Sequence, residues 1–190
     1  MKKYMFLALV TAISVFTTSC SSDEEEEVTP ALAIGDFHQG GVIFYLDGTG
    51  EHGLISSVDD QGFDIEWGCP SLQISGAKGL EIGTGAQNTL DILSACSTDN
   101  IAADLCDKYE NDGFDDWFLP SRDELDSLYQ HKEIVDKTAQ ENNGEVLRGG
   151  EYWSSSHYLD NTVWIQSFDA GNQSSELKDK ENYVRAIRSF

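Results

Sequence analysis

Apolar and polar positions alternate with different periods along the chain, and each period predicts a different element. Met5 to Phe16 is an almost unbroken apolar run behind Lys2 and Lys3; it is shorter than the ~20 residues needed to cross a bilayer and has the length of a signal-peptide core. Gly40 to Leu46 is a β-branched and aromatic run, Asp47 to Gly50 supplies turn chemistry, and Gly53 to Val58 returns, which predicts a hairpin. From Gly62 to Gly85 the chain is glycine-rich but carries Trp67, Leu72, Ile74, Leu80 and Ile82, so a long ordered loop with buried anchors is expected. Thr89, Ile92, Leu93 and Cys96 then fall at i, i+3, i+4, i+7, as do Ala102, Leu105, Cys106 and Tyr109. These predict two short helices, capped by Asn88 and by Asp99 or Asn100.

Asp116 to Pro120 reads as a short strand stopped by proline, and Ser121-Arg122-Asp123-Glu124 as a capping box opening a helix through Gln130. Lys132 to Gly150 shows no steady period and is expected to be an irregular insert. Tyr152 to Ser155, Val163 to Phe168 and Tyr183 to Phe190 read as strands. Hairpin, helices, then strands give an α+β class with a mostly antiparallel sheet, two or three short helices and long ordered loops.

Composition changes the picture at the N-terminus. The chain holds 34 acidic and 12 basic residues, a net charge of −22. Phosphate binding needs Lys and Arg contacts, so nucleic acid and anionic lipid are disfavoured as partners. Thr17-Thr18-Ser19-Cys20 resembles the lipobox of bacterial lipoproteins, with Thr17 in place of the usual aliphatic residue. The resemblance implies cleavage before Cys20 and acylation of that residue, which anchors the chain stably in lipid. Ser21-Ser22-Asp23-Glu24-Glu25-Glu26-Glu27 follows at once and resembles the surface-export signal of Bacteroidota lipoproteins. The expected organisation is a signal peptide over 1–19, a lipidated cysteine and acidic tether over 20–31, and one domain over 32–190. Its expected place is the outer membrane, on the extracellular face.

Three further cysteines lie in the domain, and an oxidising compartment permits a bridge. Cys96 and Cys106 occupy the apolar faces of adjacent short helices, which predicts that they pair and leaves Cys69 as the spare thiol. The four histidines are scattered and no C-x-x-C occurs, so no zinc site is expected. Asp112-Gly113-Phe114-Asp115-Asp116 is acidic enough for calcium but does not follow an EF-hand loop, and it reads as a solvated turn. No cofactor is expected.

Trp67-Gly68-Cys69, Ile82 to Thr89, Asp116 to Leu125, Tyr152 to Ser156 and Tyr183 to Arg188 occur in that order, and together they resemble the Lcl C-terminal domain family. The resemblance implies a C-type-lectin-like fold and an extracellular adhesion or binding role. The Glu-Pro-Asn, Gln-Pro-Asp and Trp-Asn-Asp signatures of calcium-dependent sugar binding are absent from the sequence, so calcium-bridged recognition is unsupported. From the residues themselves, Trp117, Leu119, Leu125 and Trp153 are expected in the core, and Arg185 and Arg188 in ion pairs.

No Ser/His/Asp set, H-E-x-x-H or phosphate loop stands in a convincing context, so a non-catalytic protein is expected. Two functions remain: a surface module for a glycan or protein ligand, or an accessory subunit of an outer-membrane barrel complex. The expected contact residues are His157, Tyr158, Asp160 and Asn161, in a loop between two strands that mixes an aromatic ring with hydrogen-bonding groups. Trp164 shares its predicted strand face with Phe168 and is expected in the core.

Overall fold

The glycine-bounded apolar runs at the start of the domain form the predicted hairpin, and it extends into a larger sheet. Residues 31–190 are described by a computed structural model; the expected signal peptide, Cys20 and the acidic tract from Ser21 to Glu27 lie outside them. β1 (Phe37–His38), β2 (Gly41–Leu46) and β3 (Gly53–Ser57) pair antiparallel in sequence. β4 (Gly62–Glu66) belongs to a second sheet, and the expected long loop follows it, from Trp67 to Thr84. Within that loop Trp67 and Ile74 are buried, whereas Leu72 is exposed.

Helices α1 (Gly85–Ala95) and α2 (Ala102–Asp107) are the two predicted amphipathic segments. Their caps differ from expectation. Thr84 and Ile101 take the N-cap positions, and Asn88 lies inside α1, where its side chain bonds both the N–H and the C=O of Gly79 at 3.1 and 2.8 Å. Asp116 to Pro120 makes a single bridge, Phe118 to Ile187, in place of a strand.

The capping box is present as read from sequence: the Glu124 N–H donates to Ser121 Oγ, and the Ser121 N–H donates to Glu124 Oε2. It opens α3 (Arg122–Gln130). The expected irregular insert is instead half helix, α4 (Lys132–Glu141), which buries Val135, Thr138 and Ala139. Those positions do carry the i, i+3, i+4 spacing, but two of them are Thr and Ala, too weakly apolar to stand out in a polar stretch.

β5 (Glu151–His157) and β6 (Thr162–Ser167) match the predicted strands, and β7 (Gln173–Leu177), a polar edge strand, completes their meander. The C-terminal run divides into β8 (Glu181–Val184) and β9 (Ile187–Ser189). Between them the chain changes sheets. One sheet is ordered β1-β2-β3-β9 and the other β4-β8-β5-β6-β7, antiparallel except for the β5–β8 pair. The class is therefore α+β, with two sheets and four helices where one sheet and two or three helices were expected.

The continuous apolar run in β2 reflects burial on both faces. Ile43 and Ile55 face a core shared with Trp67, Ile92, Trp117, Leu119, Trp153 and Val184, while Val42, Phe44 and Leu54 face a second core with Leu125, Leu128, Val135, Tyr152 and Phe168. Arg185, fully buried at the sheet crossing, pairs with Asp60 at 2.8 Å, and Tyr152 Oη donates to the same carboxylate at 3.0 Å. Burial pushes the Asp60 carboxyl above its usual range, against the lowering pull of Arg185. Arg188 pairs with Asp116, as its place in the last strand suggested.

The disulfide joins Cys69 to Cys96, not Cys96 to Cys106. Cys96 follows α1 in extended conformation, within reach of the long loop, with a Cα–Cα separation of 5.9 Å to Cys69. Cys106 does face inward as predicted, but as a fully buried free thiol in the core. Two inward faces share a core without their cysteines meeting.

Candidate functional site

The C-terminal end of β5 is fixed by a run of three buried serines. Ser154 Oγ donates to the Trp164 carbonyl at 2.7 Å, the Ser155 N–H to the Pro120 carbonyl at 2.7 Å, and Ser156 Oγ to the Gly79 carbonyl at 2.6 Å. The indoles of Trp67 and Trp153 donate to the carbonyls of Ser154 and Ile65. This end of the sheet is thus tied to the long loop and to the start of α3 before the β5–β6 loop begins.

The four expected contact residues divide. His157 is buried, and its Nε2 lies 3.0 Å from the Asp160 carbonyl, so Nε2 carries the proton and donates. Burial holds this imidazole below its usual pKa, and the nearby Lys178 and Lys78 charges add to the effect. Asn161 gives its carbonyl to the Lys178 N–H at 3.1 Å and turns its buried Oδ1 inward. These two residues build the loop rather than present it.

Tyr158 and Asp160 face outward. Tyr158 is 41% exposed and meets Trp164 edge-on, with ring centroids 4.8 Å apart. Asp160 sits at the loop tip with φ of 44°, a left-handed conformation that Asp tolerates, and accepts from Gln73 Nε2 at 3.3 Å. Trp164 is half-buried and belongs to neither core, which corrects its expected burial. Val163 and Ile165 face the core and Trp164 the opposite side of β6; Phe168 lies past the strand end, where the face rule no longer applies. The guanidinium of Arg122 lies 5.2 Å from the Trp164 ring and also pairs with Asp123 at 2.7 Å.

Trp164 and Arg122 were therefore missed as site residues. The signal for Trp164 was its place in an alternating strand, one residue out of phase with Val163 and Ile165. Leu72, Leu159 and Leu177 are also exposed and lie close by: Thr162 bonds Leu159 and pairs with Leu177, and Lys178 Nζ donates to the Leu72 carbonyl at 2.6 Å. Lys178 itself is buried over the Trp67 ring, 4.7 Å from its centroid, and burial pushes its amine from 10.5 down to about 8.

Asp112 and Gly113 form a two-residue turn between the bridged Asn111 and Phe114, both at positive φ. Among the described residues no group of three or more His, Cys, Asp or Glu is arranged to hold a metal ion. No described helix is long and apolar enough to cross a membrane.

The profile of the Lcl C-terminal domain matches residues 56–188. The chain belongs to this family. The motifs that carry the resemblance in the sequence knit this fold together: Trp67 and Cys69 anchor the long loop, Gly83 and Gly85 meet Glu124, and the Ser154–Ser156 run ties β5 down. A solved structure of a fimbrial protein from Bacteroides ovatus superposes with a TM-score of 0.52 at 15% identity, covering 72% of this chain and 35% of that one. The chain thus spans about a third of that protein's length, and the likeness extends to the fold. No curated protein matches the chain.

Proposed function

We propose that this Lcl C-terminal domain is a non-catalytic binding module, carried on the cell surface by a lipid on Cys20, in a C-type-lectin-like arrangement. The observation that carries this reading is the exposed Tyr158 ring, braced by Trp164 and set beside Asp160 on a loop whose base is rigidly bonded. An aromatic face with adjacent hydrogen-bonding groups on a stiff scaffold is what a sugar ring or a peptide requires. The adhesion or binding role that the family resemblance implies supports it, and so does the likeness in fold to a fimbrial protein. The acidic tract from Asp23 to Glu27 would then direct export, and the ligand reaches the site without calcium.

The exposed Leu72, Leu159 and Leu177 favour a second reading, an accessory subunit of an outer-membrane complex with a protein at the same face. A glycan array probed with the protein, alongside a pull-down from detergent-solubilised outer membranes, separates the two. Saturable glycan binding supports the first reading; stoichiometric recovery of a barrel protein with no glycan signal replaces it with the second.

A further inference from the structure

Helix α1 turns Gly85, Asn88, Thr89 and Ile92 inward, yet its outer side carries Leu90, which is 56% exposed. Leu90 and Ala86, one turn earlier, form one wall of a cavity of about 210 Å3; the buried Trp117 and Phe118 and the hydroxyl-bearing Thr89 close it. Three carboxylates complete the lining: Asp107 at the end of α2, Asp115 and Asp116. Asp116 is committed to Arg188. Asp107 and Asp115 make no ion pair or side-chain hydrogen bond among the described residues.

An apolar slot beneath two uncommitted carboxylates matches one kind of group, an alkyl stem ending in a cation. A neutral sugar needs an open aromatic face, and Trp117 and Phe118 are 2% and 6% exposed. The tether from Asp23 to Glu27 and a second copy of a chain at −22 are both repelled, as is any anionic polymer. We propose that the cleft between α1 and the Asp115–Phe118 segment docks a lysine or arginine side chain from a basic segment of a partner protein. The stem packs on Leu90 and Ala86, and the charged head meets Asp107 and Asp115. This contact is separate from the Tyr158 face.

The test is a titration of the full chain in non-ionic detergent with trilysine and triarginine peptides, followed by amide NMR shifts. Saturable shifts should cluster at 86–90, 107 and 115–118. Asp107→Asn with Asp115→Asn should weaken binding by about fivefold, and Glu51→Gln with Glu181→Gln, which removes two exposed charges elsewhere, by less than about twofold. Leu90→Ser, which leaves the charge unchanged, should weaken it by about threefold. Shifts spread over the whole acidic surface, equal losses in the two charge-matched variants, or an unaffected Leu90→Ser would overturn the proposal.

Discussion

Lys178 shows what a single residue's burial does here. Its ammonium is fully buried, donates to the Leu72 carbonyl and lies over Trp67, and its pKa falls to about 8. A lysine with a depressed native pKa binds fewer protons folded than unfolded between that value and the usual 10.5, so stability rises with pH across this window. Below it the cost of the buried charge is constant. Denaturant unfolding of the protein and of Lys178→Met at pH 7 and pH 10 should therefore show the difference moving in favour of the unsubstituted protein as pH rises; a pH-independent difference would mean the amine titrates normally. None of this was legible in sequence, where Lys178 is one of two lysines in a polar turn. His157 and Asn161 were similarly opaque: their residue types suggested ligand contacts, and only the packing reveals that both point inward.

At the scale of elements, one carboxylate holds two helix starts together. Glu124 is buried and accepts from the Gly83 and Ser121 N–H groups at 2.7 Å each, joining the start of α1 to that of α3. Burial pushes its pKa up, and the backbone donors pull it down. A Cβ at Gly85 would stand 2.2 Å from Glu124 Oε2 and 2.8 Å from the Ser121 nitrogen. Gly85→Ala should thus cost about 1–3 kcal/mol by overpacking. Glu124→Gln should cost about 1–3 kcal/mol, because an amide NH2 would face backbone donors; equilibrium unfolding that finds either variant as stable as the parent would refute this knot. The Ser121–Glu124 box was legible because capping is a local rule, whereas its reach to Gly83 was not, being a contact across 41 positions. The same limit explains the cysteines. Helix periodicity put Cys96 and Cys106 inward, but the path of the Gly-rich loop decides which thiol meets Cys96. The bridge spans 27 positions, and its loss should cost about 3–4 kcal/mol. Cys69→Ser and Cys96→Ser should destabilise about equally and leave no bridge, while Cys106→Ser keeps it; peptide mapping checks the pairing directly.

At the scale of the molecule, the strand periods announced an α+β domain, but its division into two sheets was hidden in one residue pair. Tyr183 to Phe190 reads as a single strand, and the sheet change at Arg185-Ala186 depends on Asp60 receiving the buried guanidinium, a partner 125 positions away. The family resemblance is carried by an ordered set of motifs that are mostly architectural, and the loop from Tyr158 to Asn161 lies between two of them. The Tyr158 loop is the proposed binding face. Once a ligand is found on a glycan array or in a membrane pull-down, its affinity should be measured for the parent, Tyr158→Ala and Phe63→Ala, the last removing a still more exposed aromatic on β4. Tyr158→Ala should weaken binding by about fivefold or more, near 1 kcal/mol, with its melting temperature nearly unchanged, and Phe63→Ala should bind normally. Full affinity in a folded Tyr158→Ala protein would rule this loop out as the binding face.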